Sequence, residues 1–145
     1  LTTPCPLCDP NTLPILWQCD QISVINAQEP DYPGFCRVIW RQHQTEMSQL
    51  NPAQRNQLMT IVFAVERVLI DQLKPDKINL ASLGNQVAHL HWHVIPRFEQ
   101  DRHFPEPVWA TPQREPAPAR KIIHGQLSAW LTPTLDAVWE EITAV

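Results

Sequence analysis

The chain has 145 residues, enough for one domain with a real hydrophobic core, and its 43% apolar and 18% charged composition is ordinary for a globular protein. A formal net charge of −4 excludes a general attraction for polymeric nucleic acid, whose binding rests on basic contacts to phosphates, but permits a small anionic ligand in a local site. There is no internal repeat, no apolar run near the ~20 residues of a membrane helix, and no secretory signal pattern in the first residues, LTTPCPLC; the expectation is a cytoplasmic protein with no membrane partner.

Cys5 and Cys8 form a C-x-x-C pair, whereas Cys19 and Cys36 stand singly in apolar surroundings. In a cytoplasmic setting such a pair points to metal or redox chemistry more than to a structural disulfide. Residues 15–27, ILWQCDQISVINA, read as two short strands around a turn near Asp20 and Gln21. The prolines and glycine of EPDYPG mark a loop, and FCRVIW at 35–40 resumes a strand pattern. The first third is thus an antiparallel meander.

Asn51 before Pro52 is a helix start, with Asn as N-cap, Pro at the first helical position and Gln54 where a capping-box partner belongs. Leu58, Ile61, Val62, Val65, Val68 and Leu69 keep helical spacing up to Lys74, where Pro75 stops the helix. Its apolar face is expected to cover the sheet. KINLASL at 77–83 is a fourth strand, GNQVA a turn, and residues 89–98, HLHWHVIPRF, a fifth strand.

Three of the six histidines, His89, His91 and His93, alternate along that last strand. Alternation places them on one face, successive rings roughly 6.5–7 Å apart, with Leu90, Trp92 and Val94 on the other. Such a row suits a metal ion or a nucleophilic imidazole oriented by its neighbours; the plainer alternative is the polar face of an edge strand. Trp92 is expected in the core rather than stacked on a base. From Pro96 to Pro118 six prolines exclude regular structure. Residues 122–130 and 135–142 are each compatible with a short amphipathic helix, with Pro133 between them.

The stretch NLASLGNQVAHLHWHVIP from Asn79 to Pro96 resembles the histidine triad (HIT) superfamily, whose pattern is His-φ-His-φ-His-φ-φ with φ apolar, preceded by a glycine turn and an upstream Asn or Gln. The resemblance extends more weakly over residues 16–98, and the subgroup it resembles most is that of bacterial diadenosine tetraphosphate hydrolase-like proteins. It implies an α+β fold, a five-stranded antiparallel sheet covered by one long helix. Here the HIT domain would span residues 1–104, and a Pro-rich extension with short C-terminal helices, residues 105–145, would pack on the domain or a dimer partner. It further implies a homodimer that cleaves at the α-phosphate of dinucleoside polyphosphates or nucleoside phosphoramidates, with an adenine nucleotide as the expected substrate and no catalytic cofactor.

His91 takes the position of the nucleophile. A neutral imidazole can attack phosphorus through Nε2 if Nδ1 keeps its proton against a main-chain acceptor. His93 would then sit beside the phosphoryl group, with His89 as a supporting residue. Backbone N–H groups of the turn at Gly84, Asn85 and Gln86 can form an anion nest. Many family members carry Gln and then Ser or Thr after the glycine, so Asn85 and Gln86 are departures that leave the leaving-group proton donor unassigned. By the same resemblance Asn79 would contact phosphate or the scissile oxygen and Asn26 the ribose hydroxyls, although either is also the Asn expected at a strand end or turn. Trp109 would reach the substrate, the dimer seam or the packing of the tail. Some bacterial members hold structural zinc at positions matching Cys5, Cys8, His43 and His89, a Cys2His2 set suited to tetrahedral zinc; the alternative is that His43 hydrogen-bonds His89. Two other functions stay open: a metal-dependent hydrolase with His89, His91 and His93 as ligands, and a nucleotide-binding module with little turnover.

Overall fold

The structure is a computed structural model that describes residues 4–116, 118 and 120–144; Leu1 to Thr3, Ala117, Ala119 and Val145, at the ends of the two expected segments and within the Pro-rich stretch, lie outside them. Five strands form one antiparallel sheet: β1 (Ile15–Gln18), β2 (Ile22–Asn26), β3 (Cys36–Trp40), β4 (Lys77–Ala81) and β5 (His91–Arg97), in the spatial order β1-β2-β3-β5-β4. The first three are the expected meander. Helix α1 (Pro52–Leu73) carries the chain from β3 across to the β4 edge, so the triad strand ends in the middle of the sheet rather than at its rim.

The local chemistry of α1 is that expected from its sequence. Asn51 accepts from the N–H of Gln54, Gln54 reaches back to the N–H of Asn51, and Pro52 opens the first turn. The helix ends at Lys74 in a left-handed conformation. Leu58, Ile61, Val62, Val65, Leu69 and Leu73 are buried against Val24, Cys36, Val38 and Val94 of the sheet. Strand alternation then dictates the other face: Val94 pairs with Cys36 and Trp92 with Val38 on the helix side, while His93 pairs with Arg37 and His91 with Ile39 on the side away from it. Trp92 packs with the core, and its indole N–H points to Sδ of Met47 at 3.5 Å.

Two expectations are corrected. The C-terminal region forms a single helix α2 (His124–Thr143) that runs through Pro133, rather than two short helices. Proline inside a helix costs about 3 kcal/mol, but Leu127, Leu131 and Leu135, at four-residue spacing on both sides of it, are fully buried in the main core. Each buried leucine contributes roughly 1.5–3 kcal/mol, so burial outweighs the local penalty. Further ties fix α2 on β1: Trp17 Nε1 donates to Asp136 at 2.7 Å, Ser128 Oγ donates to the Leu16 carbonyl at 2.7 Å, and Trp17 meets Trp139 edge to face.

The second correction concerns β5, which starts at His91, so His89 stands before the strand and outside the row formed by His91 and His93. The N–H of His89 turns back to the Val87 carbonyl and Leu90 N–H donates to Gln44, which rotates this stretch out of the strand's alternation. Among the described residues no helix is long and apolar enough to cross a membrane.

Candidate functional site

His91 and His93 lie side by side on β5, ring centroids 4.8 Å apart, and both are more than nine-tenths buried. Nδ1 of His91 is 2.6 Å from the carbonyl oxygen of His89. A carbonyl can only accept, so Nδ1 carries the proton and the lone pair is on Nε2. For His93 the tautomer is reversed. Arg37 Nε–H, which can only donate, approaches Nδ1 of His93 at 3.4 Å, so that the neutral ring bears its proton on Nε2. Burial, then the charges of His91 and Arg37, push the His93 imidazole down to about 4. Burial likewise lowers His91, against its bond to the His89 carbonyl and with the help of the Arg37 charge. The pair thus offers one imidazole with a free Nε2 lone pair beside one with an Nε2–H donor.

Arg37 was not among the residues expected at the site. Its signal was a lone arginine within the apolar run FCRVIW, but only the β3–β5 register, which sets Arg37 opposite His93, gives it meaning. Its guanidinium lies over the Phe35 ring at 5.1 Å, and burial lowers its pKa, with Glu29 opposing. Phe35 and Trp109 flank His93 edge to face, at 5.6 and 5.2 Å between centroids. Trp109 is half-exposed and reaches the triad within its own chain.

The loop that carries Trp109 is anchored by a second unexpected group. Arg97, two residues beyond Ile95 on the triad side of β5, is paired with Asp101 at 2.8 Å, both side chains nearly buried. Asp101 also accepts the N–H groups of Phe98, His103 and Phe104. Tyr32 joins through a 2.5 Å contact to Nδ1 of His103. Burial opposes ionisation of Asp101, but the bonds from Arg97, Phe98 and Phe104 outweigh it and hold the carboxyl at about 2.

A cleft of about 540 Å³ opens at the start of β5, lined by Thr45, Glu46, Ser48, Ser82, Gly84 and His91 among others, within the size range of small-ligand sites. Gly84 has φ +72, a conformation that suits glycine and turns the chain sharply toward His91. Asn85 and Gln86 are exposed beside it. Ser82 Oγ donates to the His91 carbonyl at 2.9 Å. A second, more apolar groove of about 220 Å³, between Tyr32, Leu73, Phe98 and Ile122, lies away from the triad and none of the histidines lines it.

The remaining candidates divide. Asn79, opposite Ile95, shares the triad face, but its Oδ1 is taken by Arg97 at 2.7 Å. Asn26 pairs with Cys36 and so faces the other side of the sheet, where it contacts Nδ1 of His124 at 3.4 Å and caps the N–H of Gln28. The structure does not bring Asn26 to the triad.

Cys5, Cys8, His43 and His89 do converge, with one donor atom from each within 4.8 Å of every other. Nδ1 of His89 stands 3.2 Å from Nδ1 of His43, 3.3 Å from Cys5 Sγ and 3.5 Å from Cys8 Sγ, and Cys8 Sγ is 3.4 Å from Nδ1 of His43. Ligands at about 2.0–2.3 Å from one tetrahedral zinc stand roughly 3.3–3.8 Å from each other, which is close to this spacing. Nε2 of His89 donates to the Trp40 carbonyl at 2.6 Å, leaving Nδ1 as the free lone pair, and burial favours the neutral ring. Such a backbone partner for the second nitrogen is typical of metal-bound histidine. The donor set fits zinc.

A family model for the HIT domain matches residues 12–100. A histidine triad protein from Bradyrhizobium japonicum is 29% identical with a TM-score of 0.64, over 88% of this chain and 89% of that one. One from Marinobacter aquaeolei VT8 is 26% identical with a TM-score of 0.70, over 86% and 89%. A zinc-bound histidine triad family protein from Mycobacterium smegmatis shares the fold at 18% identity and a TM-score of 0.59, over 88% of each chain. A comparison with curated proteins finds no match. The family match covers more than half of the chain and includes the whole triad and the glycine turn before it: the chain belongs to the HIT domain family.

Proposed function

We propose that this HIT protein is a nucleotidyl hydrolase or transferase that acts at the α-phosphate of dinucleoside polyphosphates or nucleoside phosphoramidates through a covalent nucleotidyl-histidine on His91. The carrying observation is the fixed tautomer: the His89 carbonyl holds the proton on Nδ1 of His91 and leaves Nε2 as a buried, neutral nucleophile. Nε2 attacks phosphorus, the bond from phosphorus to the bridging atom breaks, and its electron pair leaves with the displaced group. Positive charge that develops on the His91 ring is met by the His89 carbonyl. Water then attacks the adduct, the phosphorus–Nε2 bond breaks with its electrons returning to Nε2, and the water gives its proton to solvent as the nucleoside monophosphate forms.

His93, with its Nε2–H, donates to a phosphoryl oxygen. Gly84 lines the cleft, and the N–H groups of its turn, with the exposed Asn85 and Gln86 beside it, serve as further phosphate donors; positioned donors of this kind act without reorganisation. The reading with His89, His91 and His93 as ligands of one catalytic metal is weaker, because the His89 ring is committed to the Trp40 carbonyl and the cysteine cluster. In that cluster Cys5, Cys8, His43 and His89 hold a structural zinc, which ties the N-terminal segment to the start of β5; the M. smegmatis relative is zinc-bound. Residues 1–104 form the HIT unit and residues 105–145 an extension that supplies Trp109 and α2. A homodimer joined at the β4 edge would continue the sheet, and Phe63 and Ile70, exposed on α1, would be covered with it.

Intact-protein mass spectrometry after brief incubation with a diadenosine polyphosphate or an adenosine phosphoramidate, quenched in alkali to spare phosphorus–nitrogen bonds, tests the reading. An adenylyl adduct is expected on the wild type and none on His91→Ala. Turnover retained by His91→Ala would overturn it, and saturable nucleotide binding without adduct or product would leave a binding module.

A further inference from the structure

Two arginines lie on the triad face of the sheet, and their surroundings differ. Arg97 is fully engaged: Nε and one terminal nitrogen bind Asp101, the same nitrogen binds the Glu106 carbonyl, and the other binds Asn79. Arg37 is not. Only its Nε has a partner, His93 at 3.4 Å, and among the described residues it forms no ion pair and its terminal nitrogens make no hydrogen bond. Glu29 acts on it from a distance. The guanidinium is held in place on one side by the Phe35 ring and on another by His93, and it is partly buried. A pre-positioned, partly desolvated cation with two unused NH2 groups is a binding site for an anion, and the planar fork matches two oxygens of one phosphate.

We propose that Arg37 binds the anionic oxygens of the phosphoryl group directly, at the position where the Nε2–H of His93 also points, so that the site selects a phosphorylated nucleoside over the bare nucleoside. The proposal rests on the nucleotide reading above but not on its covalent step, because it concerns what the site holds before any bond breaks. Its second consequence follows from Nε. By donating to Nδ1 of His93, Arg37 positions the His93 proton on the nitrogen that faces the ligand, so one residue contributes charge and also sets its neighbour's tautomer.

Affinities of AMP and adenosine for wild type, Arg37→Gln and Arg37→Lys, measured by calorimetry, separate this role from a structural one. Arg37→Gln is expected to weaken AMP by about 10- to 100-fold, as loss of a charge-assisted hydrogen bond does, and to leave adenosine within about twofold. Arg37→Lys, which keeps the charge but not the fork or the Nε contact, is expected to fall between. Equal losses for AMP and adenosine, or undiminished AMP binding in a folded Arg37→Gln, would overturn the proposal. If Arg37→Gln does not fold, the Lys variant decides on the same ratio of AMP to adenosine. Adduct formation is read separately: an Arg37-dependent AMP preference in a protein that never forms the adduct would uphold this inference and sink the covalent mechanism.

Discussion

The backbone carbonyl of His89 accepts a hydrogen bond from Nδ1 of His91 at 2.6 Å, while the His89 ring turns the other way, to the Trp40 carbonyl and the Cys5–Cys8–His43 cluster. One residue therefore fixes the tautomer of His91 through its main chain and closes the cluster through its side chain. Order in the cluster and order at His91 are mechanically linked.

Zinc removal is expected to show that link. Chelation, or Cys5→Ser, should release one metal ion per chain and lower the thermal midpoint by at least about 5 °C, since a metal bound to the native state alone stabilises it by mass action. Metal analysis alongside calorimetry checks this. Adduct formation on His91 should slow without any change in the residues that touch substrate. A chain that carries no metal when purified, and whose midpoint ignores both chelator and Cys5→Ser, would refute the zinc assignment.

Asp101 sets an acid limit on stability. Its folded pKa of about 2 lies below the ordinary 3.8, so the native state binds fewer protons than the unfolded chain between these values. The contribution is therefore complete above about pH 4 and disappears as pH falls through about 2. Asp101→Asn leaves Arg97 buried without a countercharge, a change that costs about 3–5 kcal/mol. Denaturant melts of both proteins from pH 7 to 2 should show that loss at neutral pH and a flatter acid limb in the variant.

His93 gives a second pH signature. With a folded pKa of about 4 against an ordinary 6.5, the native state resists protonation there, and stability falls progressively as pH drops from about 6.5 to about 4. Ring chemical shifts in an NMR titration should place its midpoint near 4. In turnover, His93→Ala is expected to lower kcat by about 10²- to 10³-fold, as removal of one aligned donor does, and His93→Gln, which retains an N–H, by less.

Two glycines with positive φ should respond differently to alanine. A Cβ at Gly34 (φ +89) would stand 2.6 Å from Leu73 Cδ1 and 3.5 Å from Pro96 Cγ, so Gly34→Ala combines backbone strain with overpacking at the end of α1 and is expected to cost about 2–4 kcal/mol. At Gly84 (φ +72) the nearest atom is the Val87 carbonyl oxygen at 3.7 Å. Gly84→Ala is expected to cost about 1 kcal/mol in stability and to act mainly on nucleotide affinity. Equal destabilisation of the two variants would contradict this division.

Much of this protein was determined by local sequence. Asn51, Pro52 and Gln54 set the start of α1, alternation in the strands set which residues face the helix, and the spacing of His91 and His93 on β5 put their rings together; each of these signals acts over a few residues and is independent of distant partners. Tertiary structure decided the rest. Pro133 reads locally as a break, yet Leu131 and Leu135 are buried on either side of it by α1 and the sheet, and that burial carries the helix through. His89 reads as the first ring of a row, but its own bonds to the Val87 and Trp40 carbonyls, with the bond of Leu90 N–H to the Gln44 carbonyl, turn it toward cysteines more than eighty residues earlier in the chain. Asn26 reads as a ribose contact, and the β2–β3 register sends it to the opposite face. Arg37 and Arg97 are both arginines within apolar strands, and only their neighbours separate them: Asp101 neutralises one, and the other keeps its charge beside His93, because a charge acquires its role from what lies within a few ångströms of it.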